Sequence, residues 1–212
     1  MKGTEIQTED KIFEAAVRVF TKKGFDGTRM HEIAEEAGIN KALLHYYFRS
    51  KEKLFDAVFS KLAASLFEKF KPISHAGISL EDKIRIFYRE HISFLKQNPH
   101  LPSFILNELK RNPRRIKKIF EKADLDKIYN MLTQQHPKEL AEYNITRRSM
   151  PQIMASIAAM SVFPFVASGI IGEILRKQGK DFDSFIEERI EFAPEFVLAA
   201  LKNFRKSKKS KT

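Results

Sequence analysis

There is no cysteine among the 212 residues of this chain. Disulfides, thiol nucleophiles and thiolate metal sites are therefore excluded. Tryptophan is also absent, and glycine and proline number only eight each. No glycine-rich phosphate loop, no G-x-S-x-G elbow and no paired-histidine spacing for a metal is present. The six histidines, His31, His45, His75, His91, His100 and His136, are scattered. No catalytic set emerges, and we expect no enzymatic activity, no cofactor and no metal. The opening residues, MKGTEIQTEDK, lack the apolar core of a secretory signal, so a cytoplasmic protein is expected. Sustained alternation of apolar and polar residues, the mark of strands, is missing too.

One sign of charge is in excess, at +11, but not where a nucleic-acid contact would need it. Residues 1–60 balance ten Lys+Arg against ten Asp+Glu, and the whole excess lies beyond them. Part is the tail after Leu201; part is the cluster Lys110, Arg111, Arg114, Arg115, Lys117, Lys118 and Lys122. Both read first as a solvated face and a frayed terminus. Non-specific phosphate attraction is the sharper reading for the tail.

What is present is helical patterning. A helix over about 8–23 places Ile12, Ala15, Ala16, Val19 and Phe20 on one face and ends at Gly24. Gly24 and Gly38 each follow an amphipathic run and precede an apolar residue, Phe25 and Ile39. That is the pattern of a left-handed helix C-cap with its hydrophobic contact. Thr28 and Asn40 stand where N-caps of the next helices belong. The segment thus predicts a helix to about Ala37, a turn, and a second helix of barely two turns that can enter a major groove.

With Thr28, Ile33, Ala34, Ala37, Gly38, Ile39, Asn40, Lys41, Ala42, Leu44, Tyr47, Phe48, Ser50, Lys51 and Leu54 at fixed offsets, the segment resembles the DNA-binding part of the TetR family of transcriptional regulators. Asn40 stands for the family's usual serine cap, Ala42 for a glycine, and His45-Tyr46 for a tyrosine followed by a polar residue. These departures bear on the operator sequence and not on the fold.

The resemblance implies an all-α protein. It would have an N-terminal three-helix DNA-binding domain over 1–50, a connecting helix at 51–72, and a helical ligand-binding and dimerisation domain over 73–206. Residues 207–212 would be a disordered basic tail. DNA contacts are expected from Thr28 and Lys51 at helix N-termini, and from Asn40, Lys41, His45 and Tyr46. Leu44, Tyr47 and Phe48 would pack the short helix down.

Beyond the motif, apolar periodicity predicts helices at about 51–70 (capped by Ser50), 80–97, 101–111 and 114–135. Residues 73–79 read as a loop, and 136–150 as irregular or briefly helical. Residues 151–172 carry no charge and are long enough to raise a membrane reading. Gln152, Ser156, Ser161, Ser168 and Pro164 favour a helix buried at an interface, with no membrane contact. A final helix over 183–205 contains Pro194, which should bend it or break one backbone hydrogen bond. In a TetR-like protein the helices at about 151–178 and 183–205 pair with their copies in a homodimer.

The expected function is a repressor that binds a palindromic operator as a homodimer. A small apolar or amphipathic ligand would release it, moving the 51–70 helix as the lever. Ligand contacts are placed on His91, Phe104, Tyr129, Met160 and Phe163, with Phe87 and Met154 as further walls. The alternatives are a DNA-binding regulator with no effector and a lipid-binding or membrane-associated helical protein.

Overall fold

A computed structural model describes residues 2–111, 113 and 125–209, and every regular element among them is helical. In chain order these are α1 (Lys2–Gly27), α2 (Met30–Glu36), α3 (Lys41–Tyr47), α4 (Lys51–Lys69), a 3₁₀ turn (Lys71–Ser74), α5 (Leu80–Gln97), α6 (Leu101–Arg111), α7 (Leu125–Gln135), α8 (Pro137–Glu142), α9 (Met150–Val166), α10 (Ser168–Lys177) and α11 (Phe182–Lys209). They group into two compact units. The first takes residues up to 65 together with α6; the second takes residues 66–99 and those from α7 onward.

The first unit is built on the apolar stripe of α1. Ile12, Ala15, Ala16 and Phe20 are all but fully buried. The helix begins six residues before the expected position, and at Gly24 its backbone leaves helical geometry (φ 71, ψ 175). That conformation lies outside the left-handed helical well that a simple C-cap uses, in a region essentially restricted to glycine. Phe55 of α4 sits in the middle of the core, with ring centroids 5.2 Å from Phe20, 5.1 Å from Phe25 and 5.5 Å from Phe104. Buried side chains of this size each contribute about 1.5–3 kcal/mol. The buried carboxylate of Glu108 on α6 accepts the Phe25 N–H at 3.1 Å.

The second unit centres on α5 against α11. Tyr88, Ile92 and Leu95 of α5 and Ile186, Ala193, Leu198 and Leu201 of α11 are buried between them. Ion pairs run along the edge: Lys96 with Glu187, Arg85 with Glu195 at 2.8 Å, and Glu81 with Lys202 at 2.9 Å. Ascending numbers on one helix meet descending numbers on the other, so the two run antiparallel. Ser79 caps α5 by accepting the Asp82 N–H.

Several boundaries differ from expectation. The single helix predicted at about 151–178 is two helices, α9 and α10, bent by 72°. Pro164 does not make that break, because the chain stays helical through Val166 and turns at Ala167. What Pro164 removes is the N–H that would bond to the Met160 carbonyl, and Arg189 Nε of α11 takes its place at 2.8 Å. α11 continues through Pro194 to Lys209, so residues 207–209 are helical where a disordered tail was expected. Residues 210–212, and residues 114–124 of the predicted 114–135 helix, lie outside the described residues, as does most of the basic cluster around 111–122. Among the described residues no single helix is long and apolar enough to cross a membrane; the bent pair α9–α10 passes by length and composition only.

Candidate nucleic-acid interface

The turn between α2 and α3 is fixed by backbone bonds. Ile39 N–H reaches Ala34 O and Gly38 N–H reaches Glu35 O, both at 3.0 Å, which is a Schellman cap. Gly38 has φ 66, and an added Cβ would meet nothing within 4 Å. Backbone conformation alone, and no crowding, therefore calls for glycine here. Asn40 then caps α3 as expected, its side chain accepting the Leu43 N–H at 2.7 Å.

The start of α2 departs from expectation. Its N-cap is Arg29 and not Thr28, and Arg29 N–H donates to the Glu32 carboxylate at 3.0 Å. Thr28 is buried, and its hydroxyl donates to Gly24 O at 2.7 Å. Lys51 is likewise engaged inside the domain. Its ammonium donates to Phe25 O and Thr28 O, both at 2.9 Å, and lies 4.5 Å from the Phe25 ring centroid. Both side chains secure the segment that follows the Gly24 break.

α3 presents two faces. Leu44 is fully buried, and Phe48 just beyond the helix is nearly so, its ring 5.6 Å from that of Phe13. Tyr47 is half-buried. Asn40, Lys41, His45 and Tyr46 are exposed, with Tyr46 at 76%. Sequence reasoning passed over two further exposed cations: Arg29 at the start of α2 and Arg49 just after α3. Their signal was basic character immediately flanking the helix pair.

Two of the three acids of α2 pair with bases of α1, Glu36 with Arg18 at 2.7 Å and Glu32 with Lys23 at 2.6 Å. The Lys23 hydrogen bond and that from Arg29 N–H hold the Glu32 carboxyl below its usual range. α3 itself carries no carboxylate. α3 thus presents only neutral and basic groups, an arrangement able to meet both phosphates and base edges.

The second unit holds an apolar cavity of about 210 Å³. Phe87 and Met154 line it, as expected, but His91, Phe104, Tyr129, Met160 and Phe163 do not. Phe104 belongs to the aromatic core of the first unit. Phe163 is 60% exposed on α9. Met160 and Tyr129 are half-buried elsewhere. His91 meets Ser161 Oγ at 2.9 Å, and burial pushes its pKa down to about 4. It is a satisfied, neutral core histidine. Composition could not tell an apolar residue lining a cavity from one filling a core. Among the described residues no cluster of His, Cys, Asp or Glu is placed to hold a metal.

Residues 12–58 match the model of bacterial regulatory proteins of the tetR family. Over 82% of its length the chain is 24% identical to the "Probable HTH-type transcriptional regulator YttP" of Bacillus subtilis, covering 84% of that protein. Over 59 residues it is 48% identical to the HTH-type transcriptional repressor NicS of Pseudomonas putida, a match that spans 28% of either chain. The fatty acid degradation regulator FadR from Bacillus halodurans has a similar fold, with TM-score 0.64 and 17% identity, covering 88% of this chain and 94% of that one. Likeness at that identity speaks for the fold alone.

Proposed function

We infer that this chain, a TetR-family transcriptional regulator by the match over residues 12–58, acts as a repressor. It binds a pseudo-palindromic DNA site as a homodimer and is released by a small apolar molecule held in the second unit. The observation that carries the DNA part is the α3 surface, with Leu44 buried beneath and Lys41, His45 and Tyr46 exposed above. Asn40, Arg29 and Arg49 flank that surface. Thr28 and Lys51 position it, and any phosphate they meet is met through the backbone they hold.

A helix of seven residues reads few base pairs, so specificity requires a second copy about 34–36 Å away. The second unit offers the means. Phe163, Ile170 and Ile174 on α9–α10 and Phe192 and Phe196 on α11 are all more than half exposed. Apolar exposure of that extent marks an interaction site. A regulator of this kind works beside the chromosome, hence in the cytoplasm.

Effector control requires the ligand to prefer one arrangement of the dimer over the other, because equal affinity shifts nothing. The test is binding of the purified protein to DNA upstream of its own reading frame across a salt series. Saturable, salt-dependent binding to a site with dyad symmetry supports this function. Sequence-independent binding of a monomer would overturn it.

A further inference from the structure

Of the sixteen described residues that line the cavity of the second unit, fifteen are apolar, among them Leu80, Phe87, Ile128, Met154, Ile157 and Leu201. The exception is Lys83 of α5, itself buried. Its ammonium is not held ready for a ligand. It donates to the carbonyl of Ile73 and, at 2.5 Å, to that of His75. Those atoms end the 3₁₀ turn, where the last carbonyls of a helical segment have no partner of their own. Glu139 supplies a nearby negative charge. That carboxylate is itself fixed by the Leu80 N–H at 2.9 Å and by the His136 ring at 2.5 Å. The cation therefore already has its acceptors and its counter-charge.

We propose that this cavity takes an uncharged, hydrocarbon-rich molecule, and that Lys83 fixes the 71–75 turn on α5 without serving as counter-ion to an acidic ligand. The proposal rests on the effector reading above and names its ligand class. Its basis is that an ionised carboxylate placed inside would face side-chain methyls and methylenes, stripped of water and without a free partner. It would also add a second negative charge beside Glu139. A neutral chain loses nothing by leaving water and gains contact with the walls. The volume, about 210 Å³, lies below the roughly 300–1,000 Å³ of pockets for drug-sized ligands, so a molecule of modest length fits.

The experiment is calorimetric titration of the intact protein with 1-octanol and, separately, with sodium octanoate at neutral pH. The two probes share a chain length and differ in the charge of the head. Octanol is expected to bind at least about tenfold more tightly. The Lys83→Met variant should retain octanol affinity, and Ala158→Phe, which fills the cavity, should lose it. Octanoate binding as tightly as octanol, with loss in Lys83→Met, would overturn the proposal, as would failure of octanol to bind. So would unchanged octanol binding in a folded Ala158→Phe protein. The alcohol-against-acid comparison on the unaltered protein decides the question even where a variant fails to fold.

Release from DNA is measured separately. Octanol binding without any change in DNA affinity upholds the cavity assignment and removes the effector reading. Release of DNA by octanoate in preference to octanol does the reverse.

Discussion

The two units expose their large apolar side chains to different extents. In the first, Tyr46 on the helix proposed to read DNA is exposed, and Leu106 and Leu109 of α6 are partly so, at 39% and 44%. In the second unit Phe163, Val166, Ile170, Ile174, Phe192 and Phe196 are exposed together on α9, α10 and α11. The first unit also pairs its charges locally, α1 with α2, while the second keeps ion pairs along α5 and α11. The contrast teaches where the proposed pairing of two copies would be sought: the second unit carries the larger exposed apolar surface, at α9–α11.

Four measurements test that difference. The largest effect is expected from Phe192→Asp. In a single copy the residue is more than half exposed, so the fold should survive. Across a self-paired face the unpartnered carboxylate should cost about 3–5 kcal/mol. Sedimentation should show monomers where the parent protein is dimeric; an unaltered dimer would remove α11 from the interface.

Next comes acid sensitivity of the second unit. His91 titrates near 4 in the folded chain but near about 6.5 when unfolded. The unfolded state therefore binds the extra proton first, and stability rises with pH across that window. Stability is full above about pH 6.5 and falls by up to about 3 kcal/mol as pH drops towards 4, each pKa unit being worth about 1.4 kcal/mol. Denaturant midpoints of the parent and of His91→Leu, measured at both ends of the window, check this. The variant should lose most of the slope.

The third concerns the first unit. Lys51→Met removes an ammonium bound to two carbonyls at 2.9 Å, and hydrogen bonds to charged groups are worth about 1.5–3 kcal/mol. The thermal midpoint should fall while the log–log salt slope of DNA binding stays unchanged. A slope reduced by about 1 per subunit would restore Lys51 as a phosphate contact.

The smallest expected effect is that of Tyr46→Ala. Stability should hold, because the side chain is exposed. Discrimination between the preferred site and a single-base mismatch, usually about 1–3 kcal/mol, should shrink in competition binding. Retention of full selectivity would mean that α3 is not the reading helix.

How much was legible follows the same division. In the first unit Gly38 with Ile39, Asn40 as cap, and Leu44 and Phe48 as packing residues were readable, because turn and cap chemistry acts within a few residues. Thr28 misled for a reason. A threonine before a helix looks like a cap, and only the Gly24 break turns its hydroxyl back onto Gly24 O. The intradomain bonds of Lys51 were not readable either, since its carbonyl partners lie 23 and 26 residues earlier. In the second unit the ends of α5 were visible at Ser79 and Asn98-Pro99. The bend at Ala167 was not, because neither glycine nor proline marks it. The cavity walls were least legible of all, since a wall and a filled core use the same residues.

Pro164 gives the second unit an attachment that neither of its helices possesses alone. By withholding one N–H it leaves the Met160 carbonyl open, and Arg189 of α11 enters that gap. Burial of its guanidinium lowers the Arg189 pKa without bringing an arginine near neutrality. The defect in one rod thus becomes the socket for another, and it indexes α9 against α11 at a single height. A helix slid by one residue would present a carbonyl already bonded within α9. The two helices that expose the apolar face are in this way pinned in register within a single copy, so the face proposed for pairing is a preset shape and not one that pairing would have to create.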